Sequence, residues 1–387
     1  MLIRTIEAKV DTYIKSQENK ILFIWGPRRS GKTTLLNKVA KEYKTRIFNF
    51  DNQSDADLFM PRKDALEQIV KENNIILIDE VQTHPEATVA LKLLHDEFNV
   101  KVIATGSSEL RQKSQDFDSL AGRYIEEYCL PFSIYEIAEN SEVPSYEEKN
   151  LHLAIQKSLQ LYGAYPEVYA NKNLTETEKI DILQNILDAY VLKDIISIYD
   201  LKNSKLAKDI LIKIALQIGQ EVSIREIANS LQANVATVSN YIEIFIKNYI
   251  LIPLPSFKTN TRKAVSENRK LYFYDMGIRN ILVKDFRPLD LRPDKGGVFE
   301  NFIVIEMEKQ RKNLNLKYSM YFYREYGGKE VDLVLEDYKK NYITVEVKTT
   351  KASAKDIFPL PNTFKVINAQ NYFKKIAESL PKIENKF

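Results

Sequence analysis

The sequence predicts a multidomain α/β protein, and three observations carry that reading. Residues 26–33 form a glycine-rich loop between an apolar strand and a helical pattern, Ile75–Asp79 is a second apolar strand ending at the carboxylate pair Asp79-Glu80, and Asp332 and Glu346 stand on two consecutive strand patterns near the C-terminus. Residues 145–215, rich in Leu, Ile, Lys and Glu, read as several helices. The expected organisation is a P-loop domain on a parallel sheet over 1–140, a helical region over 141–215, a helix-turn-helix segment over 216–275, and a C-terminal α/β domain over 276–387.

Composition bounds the function classes. At 387 residues, with 44% apolar and 28% charged residues, the chain suits two or three globular domains. No window approaches the roughly 18 apolar residues of a membrane span, and the first 14 residues mix Arg4, Glu7, Lys9 and Asp11 into their apolar positions, unlike a signal peptide. A cytoplasmic protein without a membrane partner is expected. Cys129 is the single cysteine, which excludes an intrachain disulfide and a multi-cysteine zinc site, and His84, His95 and His152 show no ligand spacing. The net charge of +3 does not by itself argue for nucleic acid.

Gly26-Pro27-Arg28-Arg29-Ser30-Gly31-Lys32-Thr33 matches G-x-x-x-x-G-K-[ST] between the run Ile21–Trp25 and a helical pattern beginning Thr33-Thr34. The two glycines let backbone N–H groups and a helix N-terminus face an anion; Lys32 can reach the β and γ phosphates and Thr33 can ligate Mg²⁺. The loop with Thr34 is therefore the candidate ATP site. Asp79, closing its strand, can hold Mg²⁺, and Glu80 can polarise the attacking water, as in a Walker B motif. A third strand, 100–104, ends in Thr105-Gly106-Ser107-Ser108, where Thr105 or Ser107 can touch the γ phosphate or the water. Arg123 lies in a loop-like setting, where it can stabilise transition-state charge in cis or in a neighbouring subunit of a homo-oligomer, or simply pair with Glu126 or Glu127.

Downstream, Thr175 to Glu178 supplies a helix start and 181–190 is amphipathic. Ser223-Ile224-Arg225-Glu226 reads as a capping box opening a helix over 224–231, and a turn at Gln232-Ala233 leads to a second helix, Val235–Lys247. Residues 250–254 can begin a wing. Such a winged helix-turn-helix can enter a major groove, yet its second helix has no arginine. Between 258 and 295 there are ten Lys/Arg against five Asp/Glu, an excess that can neutralise DNA phosphates; the alternative is a packing or oligomerisation element.

Near the C-terminus, strands over 331–335 and 343–348 flank a polar turn. A hairpin centred on Lys339 sets Asp332 directly opposite Glu346, with Lys348 on the same face. Like charges opposite one another are destabilising, and a divalent metal, Mg²⁺ or Mn²⁺, removes the repulsion. Lys348 can then activate or position a water, and Glu300, in a helical pattern over 298–308, can add a third carboxylate.

The strings W-G-P-R-R-S-G-K-T-T-L-L, I-L-I-D-E-V-Q, A-T-G-S-S, L-A-G-R and L-P-F-S-I-Y-E-I, in this order, resemble the prokaryotic AAA-type ATPases that carry a C-terminal domain of unknown function. The likeness continues through Gly163-Ala164-Tyr165-Pro166-Glu167, Tyr190 to Asp194 and Lys270 to Asp275, with Ala164 where the family more often has a second glycine. The order helix Glu, strand Asp, Glu-x-Lys resembles the PD-(D/E)XK nuclease superfamily. These resemblances imply an AAA+-like P-loop parallel-sheet domain, a helical and winged-helix middle region and a restriction-endonuclease-like C-terminal α/β domain. They imply Mg²⁺-dependent ATP hydrolysis coupled to conformational change, with DNA as partner and metal-dependent DNA cleavage as a second activity. The competing expectation is a nucleotide switch that binds protein partners and cuts nothing.

Overall fold

The apolar runs that read as buried strands form one parallel sheet. In the computed structural model, which describes residues 2–84, 86–106, 119–195, 201, 203–258, 269–325, 327–350 and 353–380, strands β1 (Ile21–Trp25), β2 (Ile47–Asn49), β3 (Ile75–Asp79), β4 (Lys101–Gly106) and β5 (Tyr124–Tyr128) lie in the order β2-β3-β4-β1-β5. All four pairings are parallel. Every residue of β1 and β3 is buried, which is why these strands read as unbroken apolar runs and not as alternation. Leu22, Ile24, Leu77 and Ile103 pack against Leu35, Leu36 and Val39 of the helix Lys32–Tyr43 and against Ile6 and Val10 of the helix Thr5–Lys15. β4 runs two residues past the expected end and takes Thr105 into the strand. This unit comprises residues 3–131.

The remainder of the chain, from Phe132, forms a second unit. Thr175 caps the helix Glu176–Asn185 reciprocally with Glu178. The helix then opens into π-helical turns over Ile186–Asp194, so the expected amphipathic helix over 181–190 is not one regular α-helix. The wider turn brings Ile186, Leu187, Tyr190, Val191 and Ile195 all into the core. After the helix Ser204–Leu216 come β6 (Glu221–Val222), the helix Ile224–Ser230, the helix Val235–Lys247, β7 (Leu251–Pro255) and β8 (Arg269–Phe273). Ser223 Oγ accepts the Glu226 N–H at the start of the first helix of that pair. β8 lies between β6 and β7, antiparallel to both.

Two quoted strings, 111 residues apart, meet here. Asp275 caps the helix Met276–Val283 by accepting the Gly277 N–H at 2.8 Å, and its other oxygen accepts the Ala164 N–H at 2.7 Å. Gly163 has φ +74°, and a Cβ there would lie 1.9 Å from Asp275 Oδ1. Ala164 uses only its backbone, so the absent second glycine leaves the contact intact.

The last sheet joins β9 (Tyr318–Arg324), β10 (Glu330–Asp337), β11 (Tyr342–Lys348) and β12 (Thr363–Asn368) in the order β12-β11-β10-β9, antiparallel except for the parallel β11–β12 pair. The register Leu333↔Val345 to Glu336↔Tyr342 centres the hairpin on Lys339, as expected. Phe257 N–H donates to Phe322 O at 2.6 Å, tying the segment after β7 to β9. The helix Lys295–Asn313 is longer than the expected 298–308, and it is buried on nearly all sides, which hides its helical periodicity.

Candidate functional site

In the first unit the loop 26–33 leaves the C-terminal end of β1. Arg29 (φ +62°) and Gly31 (φ +102°) supply its left-handed turns. Gly26 is needed for a different reason: a Cβ there would lie 2.0 Å from the Cys129 carbonyl oxygen. Gly26→Ala is therefore expected to lower Tm by several degrees and to weaken nucleotide binding, checked by thermal melting and titration. Lys32 is buried, and its Nζ donates to the Gly26 and Pro27 carbonyls at 2.9 Å each, so the ammonium is already desolvated inside the loop. The Ser30 hydroxyl is fully buried without a hydrogen-bond partner. Arg28 is half-buried, while Arg29, Thr33 and Thr34 are exposed.

Asp79 is the hub. Thr33 Oγ1 donates to its Oδ2 at 2.7 Å, and Thr105 Oγ1 donates to its Oδ1. The β3–β4 register, Ile78↔Ala104, carries Thr105 alongside Asp79. The Thr105 hydroxyl thus gives its proton to the carboxylate, and its oxygen keeps the capacity to accept from a water; Ser107 lies outside the described residues. Glu80, with the left-handed φ of +53°, directs its carboxylate to the amide of Gln82. Gln82 was not among the expected site residues. Its signal was its place two residues after Glu80 together with Gly106, where a Cβ would stand 2.7 Å from Gln82 Oε1.

Arg123 sits elsewhere. It immediately precedes β5, and its carbonyl accepts the Ile21 N–H at 2.9 Å, so it stands at the N-terminal edge of a sheet whose phosphate-facing edge is C-terminal. The length of β5 separates the two edges by about 16 Å. Its guanidinium holds both oxygens of Asp96, at 2.7 and 3.1 Å, and not Glu126 or Glu127; this contact, with His95 beside it, keeps the Asp96 carboxyl down at about 2. Strand direction excludes the cis role considered for Arg123.

The second unit holds a carboxylate centre. Asp332 and Glu330 lie two apart on β10, Glu346 and Lys348 two apart on β11, and Glu300 on the long helix. Asp332 Oδ2 accepts the Val347 N–H at 2.7 Å, and Lys348 Nζ donates to Glu346 Oε1 at 2.5 Å. Carboxylate oxygens of Glu300, Glu330 and Asp332 lie within 4.8 Å of one another. Glu346, expected as a metal ligand with Asp332, is not one of these three, but it is close enough for its charge to act on Asp332. Glu330, Lys270 and Tyr272 were not expected: Lys270 donates to Glu300 at 2.8 Å and to Glu330, and Tyr272 donates to Glu300.

Burial, then the charges of Glu300 and Glu346, push Asp332 up to about 8. The hydrogen bond that Lys348 donates to Glu346 raises its pKa, so Lys348 is an ammonium that can position a water but cannot accept its proton. Asp332 keeps a proton in the folded chain from about pH 4 to 8 that the unfolded chain has lost, so stability falls as pH rises through that window. Thermal melts in chelator should show this decline between pH 5 and 8, and Asp332→Asn should flatten it.

Of the eight described cations in 258–295, five form ion pairs within the chain. Lys270, Arg279 and Arg292 are buried; Arg279 pairs with Asp294 at 2.6 Å, Arg292 with Asp294 at 2.8 Å, Arg287 with Asp285 at 2.8 Å and Arg269 with Glu243 at 2.7 Å. Glu221, Glu226 and Glu243 line the groove beside the helix Val235–Lys247. Among the described residues, the charge pattern that suggested a phosphate-binding face is mostly a set of structural ion pairs. No helix among them is long and apolar enough to cross a membrane.

Residues 18–138 match a family model described as an AAA domain, and residues 155–290 and 295–376 match two domains of unknown function, DUF8612 and DUF4143. Two uncharacterized proteins of Methanocaldococcus jannaschii, MJ1544 and MJ1637, are 28% and 23% identical, covering 90% and 91% of this chain and 81% and 80% of their own lengths. An uncharacterized protein of Haemophilus influenzae is 26% identical over 67% of this chain and 68% of its own. Among solved structures, the Aeropyrum pernix ORC1 protein in complex with DNA is similar at 13% identity and a TM-score of 0.32, over 74% of this chain and 93% of that one. The Thermotoga maritima RuvB Holliday junction branch migration motor is similar at 14% identity and a TM-score of 0.32, over 66% and 90%. Overlaps this slight fix nothing about activity. The loop, the parallel sheet and the family match together make the N-terminal unit a P-loop domain of AAA type.

Proposed function

We propose that this chain is a Mg²⁺-dependent ATPase whose nucleotide lies on the loop 26–33. The observation that carries this reading is the set Thr33–Asp79–Thr105 beside the desolvated ammonium of Lys32. Hard oxygen donors from Thr33 and Asp79 suit Mg²⁺, which when bound would neutralise phosphate charge. Lys32 exchanges two carbonyl partners for phosphate oxygens, Thr105 fixes the orientation of Asp79, and Gln82 holds the Glu80 carboxylate where it can polarise a water. Arg123, remote from its own loop, suits only a neighbouring copy in a homo-oligomer, and only after leaving Asp96. A colorimetric phosphate-release assay tests the reading: no ATP-dependent release at any Mg²⁺ concentration would sink it.

For the second unit, we read the helix pair with the β6-β8-β7 sheet as a winged helix and the last sheet as a PD-(D/E)XK-like domain, whose acidic centre takes one or more divalent ions for chemistry on DNA phosphodiesters. Asp332 and Glu346 supply hard oxygen ligands and Lys348 the adjacent ammonium. A second reading, a nucleotide switch with protein partners, is favoured by the internally paired cations around β8. Salt separates the two: DNA association through phosphates weakens steeply as salt rises. Binding to labelled DNA that is absent at low salt would leave the switch as the better account.

A further inference from the structure

The C-terminal carboxylate centre contains a cation of its own. Lys270, on β8, is 1% exposed, and its Nζ donates to Glu300 Oε1 at 2.8 Å and to Glu330. Tyr272 projects from the same strand face and donates to the same Glu300 oxygen, so β8 contributes two donors to a centre built by the helix Lys295–Asn313 and by β10 and β11. The oxygens of Glu300, Glu330 and Asp332 are spaced as a metal ion could span them, and the ammonium enters that trio from its Glu300–Glu330 side.

Charge balance gives this placement a consequence. With an ion bound in place of the Asp332 proton, Glu300, Glu330, Asp332 and Glu346 would carry four negative charges, and Lys270 and Lys348 return two positive ones. The remaining deficit equals the charge of one divalent ion. A second divalent ion would leave a half-buried centre with net positive charge, which burial disfavours. Resting on the reading of this centre as a metal site, we propose that Lys270 limits it to a single divalent ion: its ammonium fills the Glu300–Glu330 half and leaves Asp332 and Glu346 as the ligands. Lys270 is then a positioning residue that acts through the carboxylates. The centre is of one-metal type, and a symmetric two-metal clamp on the attacking and leaving oxygens is closed to it.

The test is Mn²⁺ titration of the full chain followed by electron paramagnetic resonance of free Mn²⁺, without nucleotide and with Asp79→Asn in every protein to remove the P-loop ligand. The expected result is one Mn²⁺ per chain, lost in Asp332→Asn, rising to two in Lys270→Gln and returning to one in Lys270→Arg and in Lys270→Gln combined with Glu330→Gln. If Lys270→Gln does not fold, Glu330→Gln alone decides. It keeps the single Mn²⁺ at similar affinity if Glu330 serves Lys270, whereas a loss of about tenfold or more makes Glu330 a metal ligand and overturns the proposal. One Mn²⁺ in folded Lys270→Gln, or two in the parent, overturns the role of Lys270 and leaves the metal-site reading standing. No Mn²⁺ in the parent removes the metal-site reading itself.

Discussion

Glu80→Gln is expected to retain nucleotide binding while lowering ATP turnover by about 10²- to 10⁴-fold, the contribution typical of a positioned general base. The substitution keeps the shape of the side chain and removes the charge that polarises water. Glu80 is held in a left-handed backbone conformation with φ +53°, and its carboxylate accepts from the Gln82 amide, so its position is set by the fold before any ligand arrives. Gln82→Ala should therefore produce a smaller loss of kcat with little change in KM, because the Glu80 carboxylate is still present but loses its support. Lys32→Ala should differ from both by losing nucleotide affinity, since its ammonium is the group poised for phosphate. Steady-state kinetics with equilibrium binding of a fluorescent ATP analogue distinguishes the three. Undiminished turnover in Glu80→Gln would remove Glu80 from the water-polarising role.

The largest stability effect is expected from Lys309→Met, a loss of about 3–5 kcal/mol, as when one partner of a buried ion pair is removed. Lys309 and Glu306 are both almost fully buried on the helix Lys295–Asn313. Lys309 Nζ donates to the Phe132 carbonyl at 2.7 Å and to Glu306 at 2.9 Å, while Glu306 accepts the Ile134 N–H at 2.8 Å. The pair thus pins the first residues of the second unit to its central helix. Without Lys309, the Glu306 carboxylate is left buried with one N–H donor. Burial already holds its pKa above the usual carboxylate range, so it should take up a proton as pH falls, and the loss should shrink in acid. Adding Glu306→Gln should recover part of the stability by removing the stranded charge. Urea unfolding at pH 7 and pH 5 checks all three statements, and a Lys309→Met protein as stable as the parent at pH 7 would show that the pair contributes nothing.

Local chemistry made the nucleotide loop legible. The loop, its flanking strand and the following helix are contiguous in the chain, so the spacing of Gly26, Gly31, Lys32 and Thr33 already implies their geometry. The hairpin register from Leu333↔Val345 to Glu336↔Tyr342, next to Asp332 and Glu346, was equally readable, because a short hairpin fixes which residues face each other. Glu330 was within reach by the same argument, two residues before Asp332 on one face. Arg123 misled because a loop-like setting carries no information about which edge of the sheet it occupies, and parallel strand direction decides that.

The cations of 258–295 mark the limit most clearly. Their count suggested a phosphate-binding surface, but a count cannot distinguish a solvated lysine from one that bridges two glutamates in the interior. The sequence by itself determined the P-loop, the carboxylate that closes β3, and the cross-strand pair of the last hairpin, because each rests on residues close enough in the chain for backbone geometry to relate them. Only the tertiary structure decided that Thr105 serves Asp79, that Arg123 turns away from its own loop, and that Lys270 enters the carboxylate centre. Each of those contacts joins segments at least 26 residues apart, and packing of whole elements, not local preference, brings such partners together.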